Sequence, residues 1–238
     1  MDRNSAHNNG LLIAPSQRTL SDYVADQLRQ AILAGQLKPN ERLLEEDIAE
    51  SMETSRGPVR DALKILENEG LVDRQSHRGA FVAQLHPEDF LEIYTLREAL
   101  ETLAIKYAIK NATDQQINFL EDLVHSMEGL SKKDYSQVDA TDLDVEFHHT
   151  LCKISGHKRV LNMWESLSGQ IRLVLLKHRL VHPDDLRVRS VSWHEKIVNA
   201  LSERDTEKAI AELRTHMAAS SEWVETLLQD ESNPASKR

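Results

Sequence analysis

Ser55-Arg56-Gly57-Pro58-Val59-Arg60-Asp61-Ala62-Leu63-Lys64-Ile65-Leu66 is the stretch on which the fold of the chain turns. Val59, Ala62, Leu63 and Leu66 recur at i, i+3, i+4 and i+7, the spacing of one buried helix face. Ser55 stands where an N-cap belongs, Pro58 is tolerated inside the first turn, and Gly70 suits a left-handed end. Upstream, Glu45 to Met52 predicts a short helix. Before it, Thr19-Leu20-Ser21-Asp22 opens a helix that runs to Gly35 and buries Val24, Leu28 and Ile32. Lys38-Pro39-Asn40-Glu41 is a turn between them. Downstream the period changes. Leu71 to Gln75 and Ala80 to Ala83 read as short strands around the turn Ser76-His77-Arg78-Gly79. Helix, helix, turn, helix, hairpin is the order of a winged helix-turn-helix.

Arg56 and Arg60 lie off the apolar stripe, at the end of the helix that enters a major groove in such folds. There an arginine makes paired bonds to guanine O6 and N7. Ser55 is placed to bond a phosphate or cap the helix. His77, Arg78 and Gly79 form a wing tip that can approach the minor groove or the DNA backbone. Two isolated arginines would read as solvated surface charge; inside a complete helix-turn-helix with its wing, DNA contact is the expectation. The formal charge of −10 does not oppose this, because the binding surface is a small part of one unit.

Hydrophobic residues make up 40% and charged residues 29%, the balance of a globular chain. Eight glycines and 5% aromatics beside abundant Leu, Ala and Glu favour helices over sheets. No apolar run is long enough for a membrane span, and the first residues lack the pattern of a signal peptide. Cys152, the one cysteine, excludes an internal disulfide and a multi-cysteine zinc site. A cytoplasmic location is expected.

From Pro87 onward the periodicity is helical, with helices expected near 87–111, 114–130, 135–155, 157–181, 184–202 and 205–229. Short connections make these an antiparallel bundle. The fold class is therefore mainly α. The expected divisions are a tail at 1–17, the winged helix at 18–85, the all-helical unit at 86–230 and a tail at 231–238. Among eleven histidines, His148, His194 and His216 stand out with Asp144. Asp144 and His148 are i,i+4 on one helix face, and His194 and His216 lie on the last two helices, which face the first pair in such a bundle. Three imidazoles and one carboxylate suit a divalent ion, zinc first, with nickel or manganese open. Satisfied bundle histidines are the alternative.

Three blocks carry a resemblance: Gln36-Leu37-Lys38-Pro39-Asn40-Glu41-Arg42-Leu43, Ser55 to Leu63, and Glu69-Gly70-Leu71-Val72. In order and spacing they are similar to the N-terminal signature of the GntR superfamily of transcription regulators. The helical part resembles the FCD-type effector domain of the FadR subgroup, through Tyr94 to Glu101, Asp144 to His148, His194 to Ile197 and Ala209 to His216. The resemblance implies base contacts from Arg56 and Arg60, wing contact around His77 to Gly79, and a metal held by Asp144, His148, His194 and His216. Two departures stand out. Asn40 replaces the usual glycine of the Pro-Gly turn, and Glu46 occupies a position where some members carry a DNA-contacting arginine, so that contact is not carried over.

The expected protein is a homodimeric regulator of an operator, a repressor by resemblance, and not an enzyme. A small carboxylate effector would complete the metal's coordination. Arg97 is the first choice to clamp it and Arg172 the second, each with an ordinary ion pair as its alternative. Two competing classes are weaker. A helical-bundle metalloenzyme would need a partner for Glu146-x-x-His149, and a protein-binding winged helix has no use for the paired arginines.

Overall fold

The computed structural model describes residues 19–75 and 78–232. The expected tails at 1–17 and, apart from its first two residues, 231–238 fall outside these, as do Ser76 and His77 of the wing.

The first unit opens with α1 (Leu20–Leu33). Thr19 and Asp22 form a reciprocal capping box: the Asp22 amide donates to the Thr19 hydroxyl at 3.1 Å and the Thr19 amide donates to the Asp22 carboxylate at 2.9 Å. Next come β1 (Arg42–Leu43), α2 (Glu45–Ser51) and α3 (Arg56–Asn68). The hairpin β2 (Val72–Gln75) and β3 (Gly79–Val82) closes the unit. Asn40 adopts φ 64°, so the left-handed turn that glycine would supply is made by the other residue type that tolerates it.

Strand β1 is an addition to the expected order. It pairs antiparallel with β3, Arg42 opposite Phe81 and Leu43 opposite Ala80, giving the sheet order β1-β3-β2. Two residues carry no period of their own. Only the distant partner strand makes them a strand.

The anticipated stripe of α3 is buried: Val59, Ala62, Leu63 and Leu66 are all fully enclosed, together with Val24, Leu28 and Ile32 of α1 and Leu71, Val72, Ala80 and Val82 of the hairpin. Arg29 of α1 grips Glu69 through two bonds of 2.8 and 2.6 Å, fastening α1 to the end of α3.

The second core belongs to α4 (Pro87–Asn111), α5 (Asp114–Ser131), α6 (Gln137–Ile154), α7 (Lys158–Val181), α8 (Val191–Ser202) and α9 (Thr206–Ser232). Helix 184–202 of the sequence expectation divides. Leu186–Ser190 is a π-helical segment leading into α8, and Leu186 and Ser190 are its buried residues. Such wide turns occur mostly as single insertions within helices and often at functional sites.

The two cores meet where α7 passes the end of α3. A Cβ built on Gly169 would lie 2.4 Å from the Glu69 carbonyl oxygen and 2.8 Å from Leu71, so this approach requires glycine.

Candidate functional site

Two side-chain constellations were expected, and the elements just described place their described residues as follows. In the helical unit, Asp144 and His148 project from successive turns of α6, His194 from the first turn of α8 and His216 from α9. All four are buried, and their donor atoms lie within 4.8 Å of one another. His148 Nε2 is 3.1 Å from His194 Nε2 and 3.2 Å from His216 Nε2. Asp144 Oδ1 is 3.7 Å from His148 Nε2, and Oδ2 is 3.7 Å from His194 Nε2.

The two distances from His148 Nε2 are those of neighbouring donors around one small cation, while the Asp144 oxygens stand a few tenths of an ångström farther off. Metal–nitrogen bonds of about 2.1 Å place neighbouring donors roughly 3.0 Å apart in an octahedron and roughly 3.4 Å apart in a tetrahedron. The opposite ring atoms fix the tautomers. His194 Nδ1 donates to the Ser190 carbonyl at 2.6 Å, and His148 Nδ1 lies 2.5 Å from Glu101 Oε2. With Nδ1 carrying the proton, each Nε2 keeps a lone pair aimed at the other donors. The π-helical segment supplies the Ser190 carbonyl and so sets the aim of His194.

Burial lowers His194 to about 4, against the opposing pull of Asp144, and also takes His216 well below the usual imidazole range. Both rings are neutral near pH 7, as ligands must be. Burial alone would raise Asp144, but His194, Arg179, His148 and Arg97 around it hold its carboxyl well below the carboxylate range.

The surroundings of the cluster include residues that sequence reasoning missed. Glu101, fully buried on α4, accepts from Arg97 Nε at 2.8 Å and from Trp164 Nε1 at 3.0 Å, besides meeting His148. Burial would raise it, yet His148 and Arg97 bring it down to about 2. Arg179 of α7, 2% exposed, donates to Asp144 Oδ2 at 2.9 Å and Ser190 Oγ at 3.4 Å, while its Nε and Nη1 have no hydrogen-bond partner among the described residues. Both residues were detectable as charges at buried register: Glu101 shares a stripe with Arg97, Ala104, Ile105 and Ala108, and Arg179 one with Ile171 and Leu175.

Arg97 is buried beside the cluster, 3.4 Å from Asp144, with Glu101 as its main partner. Arg172 is elsewhere. It pairs with Asp142 and lines a cavity of about 270 Å³ between the two units, with Arg29, Glu69 and Trp164.

In the first unit, Ser55 occupies the expected N-cap position of α3 and is exposed, but its side chain makes no cap hydrogen bond. Arg56 and Arg60 project outward with side chains 57% and 55% exposed. Neither is bare: Arg56 pairs with Glu46, and Arg60 reaches Glu45 at 3.2 Å. Glu45 also lies 4.0 Å from Arg74 of β2, which bonds the Arg60 carbonyl at 3.3 Å. At the wing, Arg78 lies over the Phe81 ring at 5.7 Å and Gly79 takes φ 103°. His77 lies outside the described residues.

Comparison with known proteins adds the following. Residues 20–82 match the family described as bacterial regulatory proteins, gntR family, and residues 92–219 match the FCD domain. The Nta operon transcriptional regulator of Aminobacter aminovorans is 32% identical over 158 residues, 65% of this chain and 74% of that protein. The gluconate operon transcriptional repressor of Bacillus subtilis (strain 168) is 29% identical over 208 residues, 86% of this chain and 84% of that one. A crystal structure from Rhodococcus sp. RHA1, described as a GntR transcriptional regulator, superposes with a TM-score of 0.67 at 26% identity, covering 86% of this chain and 96% of the other. Among the described residues, no helix is long and apolar enough to cross a membrane.

Proposed function

The chain belongs to the GntR family of DNA-binding transcription regulators with an FCD domain, and from that membership we propose that it is a repressor whose grip on its operator is set by a small carboxylate bound beside a divalent metal ion. Asp144, His148, His194 and His216 would hold the ion, zinc first and nickel or manganese as alternatives. When bound, the ion supplies a fixed positive charge with coordination positions left over for a carboxylate oxygen.

The observation that carries this reading is the charge balance of the buried centre. Two carboxylates, Asp144 and Glu101, face two guanidiniums, Arg97 and Arg179, so these four formal charges cancel one another. A divalent ion leaves two positive charges uncompensated in the interior, which an anion relieves. Nε and Nη1 of Arg179, buried and without a partner among the described residues, are donors that suit a carboxylate. Arg179 is therefore our choice for the clamping role for which the sequence put Arg97 first and Arg172 second. Arg97, already engaged by Glu101, helps fix the field around the site.

The DNA-reading role falls to Ser55, Arg56, Arg60 and the wing residues His77, Arg78 and Gly79, with a homodimer setting two copies of α3 on successive half-sites. Leu96, Leu103 and Tyr107, 50%, 37% and 42% exposed along one face of α4, support a second copy packing there. Effector binding favours one arrangement of the two units over another, by no more than its difference in affinity for the two.

A thermal-shift screen of mono- and dicarboxylates tests the reading. At a hundred times Kd a true ligand stabilises by about 2.7 kcal/mol. The rise in Tm is expected to vanish with chelator and in Arg179→Met. A rise that survives both places the carboxylate elsewhere.

A further inference from the structure

The two acidic partners of the reading arginines differ in kind. Glu45 is half-buried, 30% exposed, and braces Arg60 while standing near Arg74. Glu46 is 71% exposed at the start of α2 and holds the guanidinium of Arg56 through Nη2. Whatever surface Arg56 approaches, Glu46 approaches with it.

A guanidinium carries five N–H donors, and Glu46 occupies one. The others remain for guanine O6 and N7. A carboxylate only accepts, and in a major groove the base-edge donors are the amino groups at cytosine N4 and adenine N6. In a G·C pair, the N4 amino group lies next to O6 on the same edge. A paired arginine and glutamate therefore presents donors and then an acceptor, in the order in which that edge presents acceptors and then a donor.

We propose that Glu46 is a specificity-determining residue of the operator contact, and that Glu46 and Arg56 read one G·C pair as a unit, the carboxylate accepting from cytosine N4. The proposal rests on the assignment of α3 to the major groove. A pair lacking an amino group at that place would press the carboxylate against acceptors or a thymine methyl, and is rejected. The same negative charge stands near phosphates, so it also weakens binding to unrelated DNA.

The test is selection from randomised duplexes by the full-length protein, followed by anisotropy titrations, for the wild type, Glu46→Ala and Arg56→Ala. Glu46 is exposed, so its replacement leaves the core untouched. For Glu46→Ala, preference for G·C at one position should fall about tenfold, while binding to unrelated DNA tightens. A Glu46→Ala motif identical to wild type at every position, while the Arg56→Ala motif changes, overturns the proposal and leaves the α3 assignment standing. If neither variant changes the motif, the α3 assignment fails as well.

Discussion

Gly169→Ala tests whether the two units are joined by backbone contact. The added methyl would sit 2.4 Å from the Glu69 carbonyl oxygen, where ordinary contact begins at 3.4 Å, so α7 and the end of α3 must part by about 1 Å. Its other neighbours, Leu71 Cγ at 2.8 Å and Glu69 Cβ at 3.0 Å, give no room on either side. Overpacking of this kind costs about 1–3 kcal/mol, offset by up to about 1 kcal/mol from the better helix propensity of alanine. With the full offset about 0–2 kcal/mol remains, and at roughly 2–4 °C per kcal/mol for a chain of this size Tm should drop by up to about 8 °C in scanning calorimetry. Gly129 of α5 supplies the control. Among the described residues nothing lies within 4 Å of a Cβ there, so Gly129→Ala keeps the propensity gain alone and should raise Tm. A Gly169→Ala protein melting as high as Gly129→Ala would refute the close approach of α7 to α3.

Other outcomes follow from the two sites. Arg60→Ala should lower specific operator affinity by about 1–3 kcal/mol, and an unchanged ratio of specific to nonspecific binding would count against base readout by this residue. His194→Ala should strip or loosen the metal; elemental analysis finding undiminished metal would remove His194 from the ligand set. The metal-free protein should lose stability in acid. His194 is held near 4 in the fold against 6.5 for a free imidazole, so between those values the unfolded chain binds the extra proton. Stability is thus full above about pH 6.5 and falls toward pH 4, by about 2 kcal/mol from this residue at pH 5. Urea titrations in chelator giving the same stability at pH 7 and pH 5 would contradict its neutral burial.

The helices and the recognition stripe were legible because amphipathic periodicity is local. Val59, Ala62, Leu63 and Leu66 announce their burial by spacing alone. Strand β1 was not, since Arg42 and Leu43 become a strand only opposite Phe81 and Ala80, about forty residues away. The π-helical segment was hidden for a related reason: one extra residue in a turn leaves composition unchanged. Asp144 and His148 could be paired from their i,i+4 spacing, and the family resemblance joined His194 and His216 to them before their convergence was visible. Glu101 and Arg179 escaped because a charged residue on a helix is read as surface by default, a rule that yields where charges are paired in the interior. The acidic partners of Arg56 and Arg60 lie on a neighbouring helix, a juxtaposition that no periodicity reports.

Helix α7 is pinned at one end where Trp164 donates to Glu101 and at the other where Arg179 donates to Asp144. Fifteen residues separate these anchors, about 22 Å of helix, and Gly169 stands a third of the way along. Treated as a rigid beam hinged at Trp164, it converts a 1 Å displacement of Arg179 into about a third of an ångström at Gly169. With no side chain there to absorb the motion, the shift would reach the Glu69 carbonyl at the far end of α3, the helix whose first turns carry Arg56 and Arg60.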